Sequence, residues 1–384
     1  MTKTLFEFDP RFPLFNGEWK KSVPAKEEAF AKTEYDEPHI KRKLAILKKY
    51  PEIQELMGYD IKTLYVTLGS VSAQVALAYY FGRVFTGSTL VFLLTAYFVG
   101  GTLSTLYGVI FHEVCHNLAA RTSLQNRWIG MIANIPMLVP IAQSFRRYHL
   151  EHHTYQGVKG HDPDLPLDWE VKYVGNSKIK KFFWLAIYGI MYIGRGLAMQ
   201  KQMTRWEKYN VLWTIFCDIV LYYTVGPIGI VYLVCSILMG YGPHPGAAHF
   251  IQEHYTFVDG QETYGYYGSG NLLYLNIGYH NEHHDFHNVP WTRLPIIKEV
   301  ASEFYDSLAY HDSWCAVLYM FVMCKIIAPQ SRAARTIEDH THARNFLKVK
   351  DTTNLDIPLK KGVNISKSAA DGLELEYLTR SNSP

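Results

Sequence analysis

The sequence predicts an all-α membrane protein: four transmembrane helices folded as two hairpins, with interfacial helices and a cytosolic cap carrying a histidine-rich metal site. Three observations predict it. Hydrophobic residues make up 48% of the 384-residue chain and aromatics 15%, yet the mean hydropathy is near zero, so apolar residues are gathered into blocks while the ends stay polar. Four blocks are long enough to cross the hydrocarbon core, which takes about 20 apolar residues. Lys and Arg precede the first block and crowd the stretch between the two pairs, leaving the hairpin tips nearly uncharged.

The first span covers about residues 64–82 and the second 86–111, with Arg83 alone charged between them. The second hairpin covers 211–225 and 228–249, folded at Gly226-Pro227-Ile228-Gly229, where Pro and Gly break a helix. Two further apolar stretches, 128–145 and 182–194, are too interrupted to span, the first by Pro136 and Pro140, and read as helices in the cytosolic interface. Lys48, Lys49 and Lys62 lie before the first span, and a dense basic set from Arg121 to Lys208 separates the hairpins. By the positive-inside rule the termini and central segment face the cytosol and only the tips reach the lumen. The organisation is an N-terminal extension (1–34), a membrane domain (35–335) and a polar C-terminal tail (336–384). The chain past Ala328, polar and aperiodic, reads as loosely ordered.

A net charge of +3 is too small to argue for nucleic acid. Five cysteines, an odd count without a C-x-x-C pair, suggest neither a disulfide framework nor a zinc ribbon. The N-terminus lacks the basic and apolar regions of a cleaved leader, so the first span is expected to serve as signal and anchor together.

Chemistry is concentrated in histidine. His112-Glu-Val-Cys-His116, His149-Leu-Glu-His152-His153 and His280-Asn-Glu-His283-His284 account for eight of the 17 histidines. Residues three or four apart share a helix face, so each cluster presents two or three imidazoles to one point. Imidazole is a usual ligand of iron, zinc and copper. With an even number of crossings between them, all three clusters lie on one side of the membrane and can converge. His249, at the end of the fourth span, reads from spacing equally as an interfacial polar group or a ligand; His244 and His254 carry weaker signals. His112 to His116 also fits H-E-x-x-H, but a zinc protease would leave six clustered histidines unused. His244-Pro-Gly lies in an apolar run, unlike a fused haem domain. Asp218 inside the third span is a functional candidate, or a carboxyl paired with Tyr222 one turn on.

This series resembles the membrane fatty-acyl desaturase and hydroxylase superfamily. The flanks are similar to sphingolipid delta-4 desaturases: Asp36-Glu-Pro-His39, Lys49-Tyr-Pro-Glu-Ile53, the run 148–157, His249-Phe-Ile-Gln-Glu-His-Tyr255, the run 262–268, the run 276–286 and Pro329-Gln-Ser-Arg332. The resemblance covers roughly residues 35–335. It implies a non-haem di-iron centre whose ligands match His112, His116, His149, His152, His153, His249, His280, His283 and His284. It also implies molecular oxygen as oxidant, electrons from a separate cytochrome b5 reduced by a NADH-cytochrome b5 reductase, and the endoplasmic reticulum membrane. The reaction implied is removal of hydrogen from C4 and then C5 of dihydroceramide, giving ceramide; oxygen transfer to C4 would give the C4-hydroxylated product instead. A desaturase or hydroxylase of a fatty acyl-CoA or sterol, and a non-catalytic lipid-binding membrane protein, stay open. Glu113, Glu151 and Glu282, each one position off a histidine, are expected to hydrogen-bond the imidazoles from behind.

Overall fold

The computed structural model describes residues 15–16, 31–32, 38–258, 260–325 and 327–346. Among these, three helices are long and apolar enough to cross a membrane: Lys62–Val84, Thr89–Cys115 and Arg205–Gly240. The first two are separated by a four-residue turn at 85–88, closed by Ser88, whose Oγ accepts from Val91 N at 3.4 Å. The second continues past the expected end at 111 and so carries His112 on its last turn.

The expected third and fourth spans form one 36-residue helical element that ends at Gly240 rather than near 249, and it is broken inside at Gly226 (φ 75°, ψ 173°). That backbone conformation favours glycine, and the next residue, Pro227, has no N–H to return to the carbonyl four residues back. That carbonyl belongs to Tyr223. Arg83, the charge at the tip of the first hairpin, donates from Nη2 to Tyr223 O (2.6 Å) and from Nε to Thr224 O (3.1 Å). An unsatisfied carbonyl in hydrocarbon costs several kcal/mol, so Arg83 supplies what the bend removes.

The two legs take different neighbours. On the first, Asn210, Thr214, Cys217, Leu221 and Val225 are buried at helical spacing, while Leu212, Ile215, Phe216, Ile219 and Tyr223 are exposed. Lipid is as apolar as these side chains, so the inner face is held by close packing and polar contacts rather than by hydrophobic exclusion; Asn134 Nδ2 donates to Thr214 Oγ1 at 3.2 Å. The second leg runs along the second span at glycine contacts. A Cβ on Gly240 would come 2.5 Å from Gly101 O, and one on Gly100 2.0 Å from Ser236 Oγ.

The stretches expected at the interface are helical: Ser123–Ala133 and Ala142–Thr154 for the first, Lys178–Ala186 and Tyr188–Ala198 for the second. Thr122 and Gln125 start the first of them with a reciprocal capping box (3.2 and 3.0 Å). The second pair exposes Ile179, Phe183, Ile190 and Leu197. Two of the basic residues between the hairpins are not headgroup contacts. Lys181 Nζ is buried against Cys324 O (2.6 Å) and Ile327 O (2.8 Å), and Arg195 grips Glu170 with two bonds of 2.8 Å.

The expectation of a loose chain past Ala328 is corrected as far as residue 346, and its remainder, 347–384, lies outside the described residues. Ala333–Ala334 pairs in parallel with Ala31–Lys32, Arg332 lies over the Tyr255 ring, Arg335 bonds Gln156 O and Glu262, and a helix follows at Ile337–Phe346. Order here comes from buried charged side chains, which leave no hydrophobic period in the sequence. The sequon at Asn364 and the stretch 1–14 lie outside the described residues.

The largest core cluster, including Ile110, Phe111, Ile129, Ile251 and Tyr255, surrounds the ends of the spans that carry histidine. A second, with Ile46, Phe286, Val289 and Ile297, packs helix His39–Lys49 behind the third histidine cluster.

Candidate metal centre

Each histidine cluster sits on a helix end that aims it inward. His112 is on the last turn of Thr89–Cys115 and His116 caps it; His149, His152 and His153 lie on Ala142–Thr154; His280, His283 and His284 lie on the short helix His280–Asp285. Packing of the second span against Ala142–Thr154 and of the third cluster against both brings the rings together. Two ligand groups result: His112, His116, His149, His153 and His283, and beside them His152, His254 and His284, with His280 joined through His254 and Glu253.

The spacing of the nitrogens suits ligands of a common ion. Nε2 of His149 lies 3.0 Å from Nε2 of both His116 and His153, and Nε2 of His283 lies 3.3 Å from that of His153. In the second group, His254 Nε2 is 3.0 Å from His152 Nε2 and 2.9 Å from His280 Nε2. Two ligands at right angles on one ion, each about 2.1 Å from it, are about 3 Å apart. Neutral imidazoles own one N–H each and cannot saturate such a chain by hydrogen bonding. Several ring nitrogens, including both of His112, His116 Nδ1, His283 Nδ1 and His284 Nε2, are buried with no partner among the described residues. Burial, reinforced by the neighbouring rings, holds His116, His149, His153, His254, His280, His283 and His284 well below the ordinary histidine range. The neutral ring is the form that ligates a metal. The residues present therefore fit a pair of cations.

Eight of the nine sequence-predicted positions are brought together. His249 is not among the grouped rings: its Nδ1 bonds Glu253 Oε1 at 3.0 Å and its Nε2 has no partner among the described residues. His254 stands in the second group instead. Its sequence signal was weak because it follows the short helix His249–Gln252 and shares no helical face with His249.

The support behind the rings also differs from expectation. Glu113 accepts from Trp291 N (3.4 Å), Glu151 from Lys201 Nζ (2.7 Å) and Glu282 from Tyr267 (2.8 Å); none of them holds a clustered imidazole. Asp162 does. Its Oδ1 lies 2.9 Å from His152 Nδ1 and is fixed by the backbone N–H of Asp164 (2.9 Å), while Oδ2 accepts from Gly157 N (2.7 Å). Asp285, the residue after His284, is locked by His39 (2.7 Å), Arg42 (2.6 Å) and Tyr305 (2.8 Å), tying the first helix to the third cluster. His244 accepts from Gly246 N (3.1 Å) within a turn. Asp218 Oδ1 has no hydrogen-bond partner among the described residues, so the pairing with Tyr222 is not formed through it.

A cavity of about 360 Å³ ends on this centre. Its walls are apolar, with Leu138, Ile190, Ile193, Ile237 and Leu238 among them, and His112, His149, His152, His254 and His280 face it together with Asp164 and Glu253.

Fold and site together define a class: a helical membrane protein with a buried, histidine-built centre able to hold metal at the end of an apolar cavity. The family model described as Fatty acid desaturase matches residues 87–314, and the one described as Sphingolipid Delta4-desaturase matches residues 26–62. Among similar proteins are the sphingolipid delta(4)-desaturase DES1 of Gallus gallus, 42% identical over 79% of this chain and 94% of that one, and of Homo sapiens, 40% identical over 78% and 93%. The DES1-like desaturase of Oryza sativa subsp. japonica is 41% identical over 78% and 90%. The chain belongs to the fatty acid desaturase family, in its sphingolipid delta4-desaturase branch.

Proposed function

We propose that this chain is an oxidoreductase that converts dihydroceramide to ceramide by removing one hydrogen each from C4 and C5. The observation that carries the reading is an apolar cavity ending on two adjoining histidine groups, in a chain about 40% identical to sphingolipid delta(4)-desaturases along most of its length. An unactivated methylene has no acidic proton and no leaving group, so a pair of redox metal ions, here iron, supplies the oxidising power when bound. In the balance, the substrate gives up two hydrogens, an external donor gives two electrons with two protons, and one dioxygen becomes two waters. The donor is a separate cytochrome b5 served by its NADH-dependent reductase.

The chain's own residues do the rest. Nine imidazoles, those of His112, His116, His149, His152, His153, His254, His280, His283 and His284, form the metal-holding shell, with His249 facing the cavity beside it. Asp162 fixes the His152 ring so that Nε2 points into the centre. The aliphatic walls exclude water from the oxidised chain.

The two legs that meet at Gly226 act as separate spans, giving four crossings, with the centre and both termini on the cytosolic face of the endoplasmic reticulum. In support, Glu207 and Asn210 near the start of that element bond Arg147 and Gln143 of the histidine-bearing helix Ala142–Thr154, its bend contacts Arg83 at the tip of the first hairpin, and its second leg returns along the second span to Gly101 and Thr105. The domain limits remain 1–34, 35–335 and 336–384. The test is ceramide formation by the purified chain in vesicles with cytochrome b5 and reductase. Appearance of the C4–C5 double bond is expected; iron-loaded protein that leaves every sphingoid lipid unchanged overturns the assignment.

A further inference from the structure

The cavity wall carries two carboxylates, and they are not equivalent. Glu253 is taken up by His249 at 3.0 Å. Asp164 sits on a rigid platform: its N–H donates to Asp162 Oδ1 (2.9 Å), and its carbonyl accepts from Arg195 (3.3 Å) and Arg332 (3.1 Å). Its side chain, in contrast, meets Arg332 Nη2 at 3.9 Å and His152 Nδ1 at 4.0 Å, both beyond hydrogen-bonding distance, and shares the cavity wall with Tyr192, whose phenol is pushed well above its ordinary range by burial and then by the Asp164 charge. A carboxylate has about four acceptor sites, so most of the capacity of Asp164 faces the cavity.

We propose that Asp164, with Tyr192 beside it, is the headgroup anchor of the cavity, accepting hydrogen bonds from the hydroxyl and amide donors of a sphingoid head. This rests on the sphingolipid reading above and extends it to what sets the site of reaction. Apart from the histidines and Glu253 the cavity wall is largely apolar, so a donor-rich head finds its free acceptor at Asp164. Dihydroceramide offers two hydroxyls and an amide N–H on its first three carbons. A fatty acyl thioester offers no donor near its carbonyl, and a phosphate-bearing carrier would be repelled by the charge.

Position follows from the same contact. Asp164 is 4.0 Å from the outer nitrogen of His152, whose inner nitrogen joins the second histidine group; an ion there sits about 2 Å further on. A hydrogen bond of about 2.7 Å to the C1 hydroxyl, followed by the bond from its oxygen to C1 and the three bonds from C1 to C4, covers a span similar to that from Asp164 across the imidazole ring to the ion. The anchor therefore brings carbons a few bonds from the head to the centre and leaves the middle of the chain beyond it.

The test compares the full-chain enzyme with Asp164→Ala, Asp164→Asn and Tyr192→Phe, using dihydroceramide and the same lipid lacking its C1 hydroxyl, and reads KM, kcat and bound iron. Wild type is expected to favour the hydroxylated lipid in kcat/KM by about ten- to a hundredfold, the range for a hydrogen bond to a charged group. Asp164→Ala should raise KM by a similar factor, keep its iron and lose the preference, with Asp164→Asn intermediate. An iron-replete Asp164→Ala enzyme with unchanged KM and preference overturns the anchor, as does a wild type indifferent to the C1 hydroxyl. Should Asp164→Ala lose iron, the wild-type comparison and the Tyr192→Phe enzyme decide. A wild type that converts neither lipid overturns the sphingolipid reading itself.

Discussion

Replacing His254 with alanine separates the ring grouping seen in the structure, proposed above as the metal-holding shell, from the ligand set read in the sequence. Its Nε2 lies 3.0 Å from His152 Nε2 and 2.9 Å from His280 Nε2, the separation expected of neighbouring ligands on one ion. Removing it leaves His152, His280 and His284 to hold the second ion. Loss of an outer-shell partner alone weakens metal binding about 10–100-fold, or ~1.4–2.7 kcal/mol, and loss of a direct ligand costs at least that. Iron measured by mass spectrometry on purified full-length protein should fall from about two per chain toward one, with desaturation lost. His249→Ala, which removes a ring bonded to Glu253 outside the grouped nitrogens, should keep both ions. The reasoning is refuted if His249→Ala sheds iron while His254→Ala retains it.

Asp162→Asn keeps the shape of the side chain but weakens its hold on His152, and iron retention against a chelator should drop about 10–100-fold. Glu170→Ala leaves the Arg195 guanidinium buried without its two bonds of 2.8 Å; a loss of about 3–5 kcal/mol is expected in chemical denaturation, and an unchanged midpoint would remove Glu170 from the stabilising framework. For the metal-free protein, burial keeps seven of the clustered histidines unprotonated when folded, whereas the unfolded chain takes up protons below about pH 6.5. Stability should thus hold above that pH and fall below it, by about 1.4 kcal/mol per pH unit for each such histidine. Equal unfolding midpoints at pH 7.5 and 5.5 would contradict it.

The apolar blocks and the three histidine clusters were legible because each is a local pattern: a length of hydrocarbon, or a spacing that puts rings on one helix face. The break at Gly226-Pro227 was legible for the same reason, although no local pattern marks Arg83, far away in the chain, as the group that completes the carbonyls exposed there. His254, Asp162, Arg332 and Arg335 carried no comparable signal. Their roles arise where segments more than a hundred residues apart in some cases are packed together, as when His254 meets His152 or Arg335 reaches Gln156. Periodicity reports which face of an element is buried, and so it determined the kind of protein and most of its rings. Which nitrogens come close enough to share an ion, and which carboxylate is left facing the cavity, depend on distances between elements, and those are set only when the helices have packed.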